Sequence, residues 1–160
     1  MHTKAEQRAA LKADQQFWRE LSSEVGPQRF AEPGPMGDWN YGDLAGHLLG
    51  WRDRTIARLD AFTRNEGEPA PPWPPELDDD DQINEWIRAN DAGRTPDELV
   101  AAYDRSYDHL ADAIERVSDG ALTDPEAFAW LEGGALVEAD FTSHLHDEHV
   151  PAVRAWLDRA

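Results

Sequence analysis

Asp38-Trp39-Asn40-Tyr41-Gly42-Asp43-Leu44-Ala45-Gly46-His47-Leu48-Leu49-Gly50-Trp51 opens like a helix and carries one histidine on its apolar side. Leu44, His47, Leu48 and Trp51 recur at i, i+3, i+4 and i+7, one face at the helical period. Asn40 or Asp38 can cap this helix, and Asp43 falls in its first turn, where a carboxylate meets the positive end of the helix dipole. The helix continues through Thr55, Leu59 and Phe62 and stops before Asn65-Glu66-Gly67. A histidine among leucine and tryptophan must hydrogen-bond, bind a metal or serve a pocket.

Upstream, residues 4–25 read as a first helix, with Ala9, Leu11, Ala13, Phe17, Leu21 and Val25 as its apolar stripe and Phe17 and Trp18 as anchors. Gly26-Pro27 ends it, and a loop rich in Pro and Gly runs from Phe30 to Gly37. Downstream, residues 65–81 are irregular: Pro69, Pro71, Pro72, Pro74 and Pro75 surround Trp73, and Asp78 to Asp81 form an acidic run. Trp73 either pins this connector to the bundle or forms one wall of a lid. Asp81 is the expected cap of a short helix over Ile83–Ala89 that turns Ile83, Trp86 and Ile87 inward. Thr95-Pro96-Asp97-Glu98 is a capping box with proline at the first helical position. It opens a third long helix that runs to Ser118 and is closed by Asp119-Gly120. Leu122 to Phe128 is a connector, and a last helix is expected from Gly134 to Asp158. No alternating apolar run of strand type occurs. The expectation is an all-α four-helix bundle, one domain over residues 1–160, with a long crossover between the second and third long helices.

The totals narrow the function. At 160 residues the chain suits one domain with a full core. Thirty-three acids against fifteen bases give a formal charge of −18, which repels phosphate backbones and disfavours nucleic acid. No apolar run approaches a membrane span, and Met1 to Arg8 lacks the apolar region of a secretory signal, so a cytoplasmic protein is the default. The absence of cysteine removes disulfides, thiolate metal sites and cysteine nucleophiles together. No P-loop, G-x-S-x-G or G-x-G-x-x-G is present.

Six histidines remain to carry chemistry. The last helix holds Phe141-Thr142-Ser143-His144-Leu145-His146-Asp147-Glu148-His149, and Leu145, Ala152, Val153 and Trp156 fix its inner side. At about 100° per residue, His149 sits mid-face, His146 at its flank, His144 mostly outward and Glu148 between. His146 and His149 with His47 would supply three nitrogen ligands and leave coordination positions open, as a catalytic site requires. Asp43, Asp140 and Asp147 are available to orient the rings. The competing expectation is that these histidines bond locally at a wet end of the bundle. His109 reads as a rim residue, and His2 is expected to be disordered.

Gly37 to Trp51 resembles the W-S-x-x-D-x-x-x-H-L-x-x-W signature of the DinB-like superfamily. Gln82 to Asn90, with Thr95-Pro96-Asp97-Glu98-Leu99 after it, is similar to the middle of its ClbS/DfsB branch, and His149 to Leu157 to the end of that branch. The resemblance implies a four-helix bundle, often a homodimer. Many members hold a divalent metal on one histidine of the second helix and an H-x-x-x-H pair of the last. Some are thiol-dependent transferases or isomerases, and the ClbS-type branch, not an evident metal family, is associated with self-protection against a reactive genotoxic metabolite by hydrolysing its cyclopropane. His47 and His149 match, while the first position of the pair is occupied by Leu145. On this resemblance a small-molecule pocket is expected between the second and last long helices. His47, His149 and Asp43 are the expected catalytic residues, and Trp39, Trp51, Trp73, Trp86 and Asn84 the substrate contacts. A divalent ion, zinc or nickel, on His47, His146 and His149 is the expected cofactor, serving a hydrolase or a thiol transferase. The alternative is a bundle that binds or sequesters a small molecule in a tryptophan pocket without turnover or metal.

Overall fold

A computed structural model describes residues 3–159, which leaves His2 outside the described residues. The chain runs α1 (Lys4–Val25), β1 (Pro33–Met36), β2 (Trp39–Asn40), α2 (Tyr41–Thr63), α3 (Asp80–Asn90), α4 (Pro96–Glu115), α5 (Asp119–Thr123) and α6 (Val150–Asp158). A π-helical turn, His144–His149, leads directly into α6. The architecture is the all-α bundle expected, with the long crossover between α2 and α4 carrying α3.

α4 lies at the centre, packed on α1 and α2. The buried residues of α1 are Gln7, Leu11, Asp14, Gln15, Trp18, Leu21 and Val25, so the stripe is rotated from the expected one and Ala9 and Ala13 face solvent. Polar residues can occupy that stripe because each finds a partner. Gln7 Nε2 donates to the Leu136 carbonyl at 2.6 Å, and Gln15 Nε2 to the Asp104 carbonyl at 2.9 Å. Trp18 is fully buried, stacked on Tyr41 and edge-on to Tyr103.

α2 begins as read. Asn40 Oδ1 accepts from the Asp43 amide at 2.7 Å, and Asp43 Oδ2 accepts from the Asn40 amide at 3.0 Å, a closed capping box. The α4 capping box of Thr95 and Glu98 is also as expected. α3 is capped by Asp79, whose Oδ1 accepts from the Gln82 amide at 2.7 Å, two residues before the expected Asp81. α4 stops at Glu115, and Ser118 caps the five-residue α5 where the chain was expected to close.

Two expectations fail for physical reasons. The loop before α2 contains an antiparallel pair, Pro33 opposite Asn40 and Met36 opposite Trp39, turned at Gly37 with φ +62°. It is too short and too rich in Pro and Gly to show alternation. Gly34, at φ +132°, is where a Cβ would fall 2.4 Å from the Trp156 ring, so a side chain there would push α6 off the hairpin. The long last helix from Gly134 does not form. Gly133 takes φ +88°, a 3₁₀ turn covers Leu136–Glu138, and Asp140 then builds a turn of its own. Asp140 Oδ1 accepts from the Thr142 amide, the Thr142 hydroxyl and the Ser143 amide at 2.8, 2.8 and 3.2 Å.

The crossover is anchored. Trp73 is buried against Ile83 and Ile87, with Trp51, Leu77 and Trp86 around them, apart from the main core. Arg54 bonds the Pro69 carbonyl and Glu68 from the buried side of α2.

Candidate metal centre

Three imidazoles converge between α2 and the π-turn. His47 Nε2 lies 3.0 Å from His144 Nε2 and 3.2 Å from His149 Nε2, and the latter two are 3.2 Å apart. His47 is 4% exposed and His149 8%, while His144 is half-buried. Neutral imidazoles offer one donor and one acceptor nitrogen each, so three Nε2 atoms aimed at one point do not satisfy one another. A cation does satisfy them. Nitrogens about 2.0–2.1 Å from one zinc stand about 2.8–3.0 Å apart at octahedral angles and about 3.3–3.4 Å apart at tetrahedral ones, and the sides of the observed triangle, 3.0 and 3.2 Å, fall within that span.

The π-turn decides which residues take part. In a regular helix His144 and His149, five residues apart, would point about 140° away from each other. Here the Val150 amide reaches back five residues to the Leu145 carbonyl, which widens the turn and brings positions five apart to one side. Pro151 explains the widening: it has no amide to give the Asp147 carbonyl four residues back, and its ring would collide with that carbonyl.

His144, read from the α-helical period as outward, is therefore in the cluster, and His146, read as the third ligand, is not. His146 Nε2 bonds the Asp14 carboxylate, and its ring packs on Phe17 with centroids 4.5 Å apart. Asp14, 5% exposed, also accepts from the Tyr107 hydroxyl at 2.6 Å. His146 thus pins the turn to α1. Glu148, expected between the faces, is exposed, yet its Oε2 comes within 3.6 Å of His144 Nε2. The sequence does hold a sign of this arrangement, in Pro151 two residues beyond His149.

The electrostatics keep the rings neutral. Burial first, then the two neighbouring imidazoles, push His47 down to about 3. Burial, then His144, pushes His149 down to about 4. His144 is also lowered, chiefly by burial, with Glu148 pulling it back up. Neutral imidazoles offer lone pairs, the form that ligates a metal. His47 Nδ1 is buried without a hydrogen bond of normal geometry, although hydrogen bonding from Asn84 pulls that ring's pKa upward against burial.

The other expected residues are dispersed. Asp43 is held in the cap and lies 3.4 Å from Arg88. None of Asp43, Asp140 and Asp147 is hydrogen-bonded to a histidine ring among the described residues. Asn84 Oδ1 accepts from Trp51 Nε1 at 2.8 Å, which places both beside His47. Trp73 and Trp86 line a separate cleft of about 440 Å³ on the α3 side of α2. Trp39 stands apart from them under the Arg88 guanidinium.

A mostly helical bundle whose second long helix and last segment meet at three histidines defines a DinB-like domain with the donor set of a divalent metal site. A family model described as the mycothiol maleylpyruvate isomerase N-terminal domain matches residues 11–136, and the chain belongs to that family. The match includes His47 and ends before His144 and His149. Comparison with curated proteins and with solved structures gave no match. Among the described residues no helix is long and apolar enough to cross a membrane.

Proposed function

We propose that this chain is a metal-dependent enzyme that activates a small nucleophile, water or a thiol, against a reactive small molecule. The observation that carries this reading is the convergence of His47, His144 and His149 Nε2 atoms within 3.2 Å, from segments about a hundred residues apart. A divalent ion held by those atoms would act as a Lewis acid and lower the pKa of the nucleophile it binds. The chain's own residues do the rest. Buried His47 and His149 stay neutral and fixed, and His144 forms the rim facing solvent. The Glu148 carboxylate, 3.6 Å from His144 Nε2, is close enough to the open side to take up the nucleophile's proton. Detoxification of an electrophilic metabolite in the cytoplasm, as in the ClbS/DfsB branch that the sequence motifs resemble, is the physiological role we propose. The separate Trp73–Trp86 cleft supports a second reading, a bundle that binds a flat apolar ligand without turnover.

The test is metal titration of chain purified without a histidine tag. The expected result is one zinc, nickel or cobalt ion per chain and a melting temperature that falls in chelator. No bound ion, together with melting unchanged by chelator, overturns the metal reading and leaves the binding one.

A further inference from the structure

Arg52 lies on α2 five residues after His47, is 8% exposed, and has no carboxylate within 4.0 Å among the described residues. Its guanidinium donates to Ser106 Oγ at 3.3 Å and to the Phe141 carbonyl at 3.1 Å. It also covers the faces of Tyr103 and Tyr107, 4.6 and 4.1 Å from the ring centres. Burial raises the pKa of both phenols, so they remain neutral and supply no counter-charge. Asp14, the nearby buried acid, is taken up by Tyr107 and His146. An arginine cannot shed its proton to escape burial, and a buried charge ordinarily has an ionic partner.

That cation, without a carboxylate at ion-pair distance among the described residues although Asp53 feels its charge, lines a cavity of about 150 Å³ that it shares with Trp51, Thr55, Tyr103, Phe141 and His144. By volume this is roughly the space of five waters. His144 belongs to both the cavity wall and the histidine cluster, so the cavity opens beside the metal centre. Asp140 is also on the wall, but its Oδ1 is held by its own turn.

We infer that this cavity is the anion subsite of the reaction centre, in which Arg52 holds the carboxylate of a small substrate. This rests on the metal reading for its catalytic meaning, but not for the binding itself. A planar guanidinium matches a carboxylate as no other side chain does, and the volume admits a short-chain acid rather than a polyanion. With its carboxylate on Arg52, the rest of the molecule points past His144. Arg52 is a specificity-determining residue and not a ligand of the metal.

Calorimetric titration of the full chain with butyrate and with its neutral isostere butyramide, metal-free and cobalt-loaded, tests this. Butyrate should bind about tenfold to a hundredfold more tightly than butyramide in both forms. Arg52→Gln should abolish that preference in the metal-free chain, where any weakening of cobalt binding through the lost bond to the Phe141 carbonyl plays no part, and Arg52→Lys should restore part of it. Equal binding of the two ligands to the unaltered chain overturns the inference, whether or not the variants fold. A butyrate preference that survives Arg52→Gln, or appears only with cobalt bound, also overturns it, because the carboxylate is then on the metal. Failure of cobalt to bind, with the butyrate preference intact in metal-free chain, overturns the metal reading alone.

Discussion

His47 is held by α2, 23 residues long with a closed capping box, whereas His144 and His149 are held by six residues of π-helix. α2 is buried along most of its length, so its histidine needs no dedicated support. The turn has little core of its own, only Leu145 and His149 being buried, and is fastened from outside at three points. Asp140 ties its entrance, Arg52 bonds the Phe141 carbonyl, and His146 reaches Asp14 on α1. One ligand comes from regular structure and two from a fastened irregularity. The position of the site is thus set by the bundle, and its geometry by the fasteners.

Removing ligands should have the largest effect on both regions. His47→Ala, His144→Ala and His149→Ala should each weaken metal binding by more than the roughly 100-fold that outer-shell changes reach. His146→Ala removes a fastener, not a ligand, and should cost about tenfold to a hundredfold. Metal affinity by competition with a chromogenic chelator checks this, and loss on His146→Ala equal to that on His144→Ala would break the assignment.

The same contrast governs how legible each region is in the sequence. His47 is legible because Leu44, Leu48 and Trp51 state a helical face and Asn40 and Asp43 state its beginning. His144 is misread because a 100° step is applied across residues where the step is smaller. Asp14 is invisible as a partner of His146, since nothing in α1 marks a buried acid until the segment that meets it is placed. The turn at Asp140 hides behind a plausible helix for the same reason.

A second effect, on the order of a few kcal/mol, concerns pH. His47 is held down to about 3 and His149 to about 4 in the folded chain, against an unfolded value of 6.5. Between these values the unfolded chain binds protons that the folded chain refuses. Metal-free protein therefore has its full stability above about pH 6.5 and loses it as pH falls toward about 3. Urea unfolding with a chelator at several pH values should show this decline, flattened in His47→Gln. The same slope in both chains would mean that His47 is not held neutral.

The smallest effect sharpens the contrast most. Pro151→Ala supplies the missing amide, so the turn can relax to a regular helix and swing His144 away from His149. Metal affinity should drop about tenfold while folding stability changes by no more than about 1 kcal/mol. The same replacement of an exposed residue within α2, such as Asp53→Ala, should leave metal affinity untouched. Unchanged affinity in Pro151→Ala would show that Pro151 does not hold the turn open.

The widened turn has a consequence for how such sites are found from letters alone. Adding one residue between two ligands ordinarily rotates one of them out of register, and a search for two histidines four apart assumes as much. Here the interval is five, and the bulge absorbs the extra residue, so both nitrogens still reach the same point. A length change inside a metal-binding interval is therefore neutral when the backbone can take it up locally, and a proline just past the second ligand is the mark to look for.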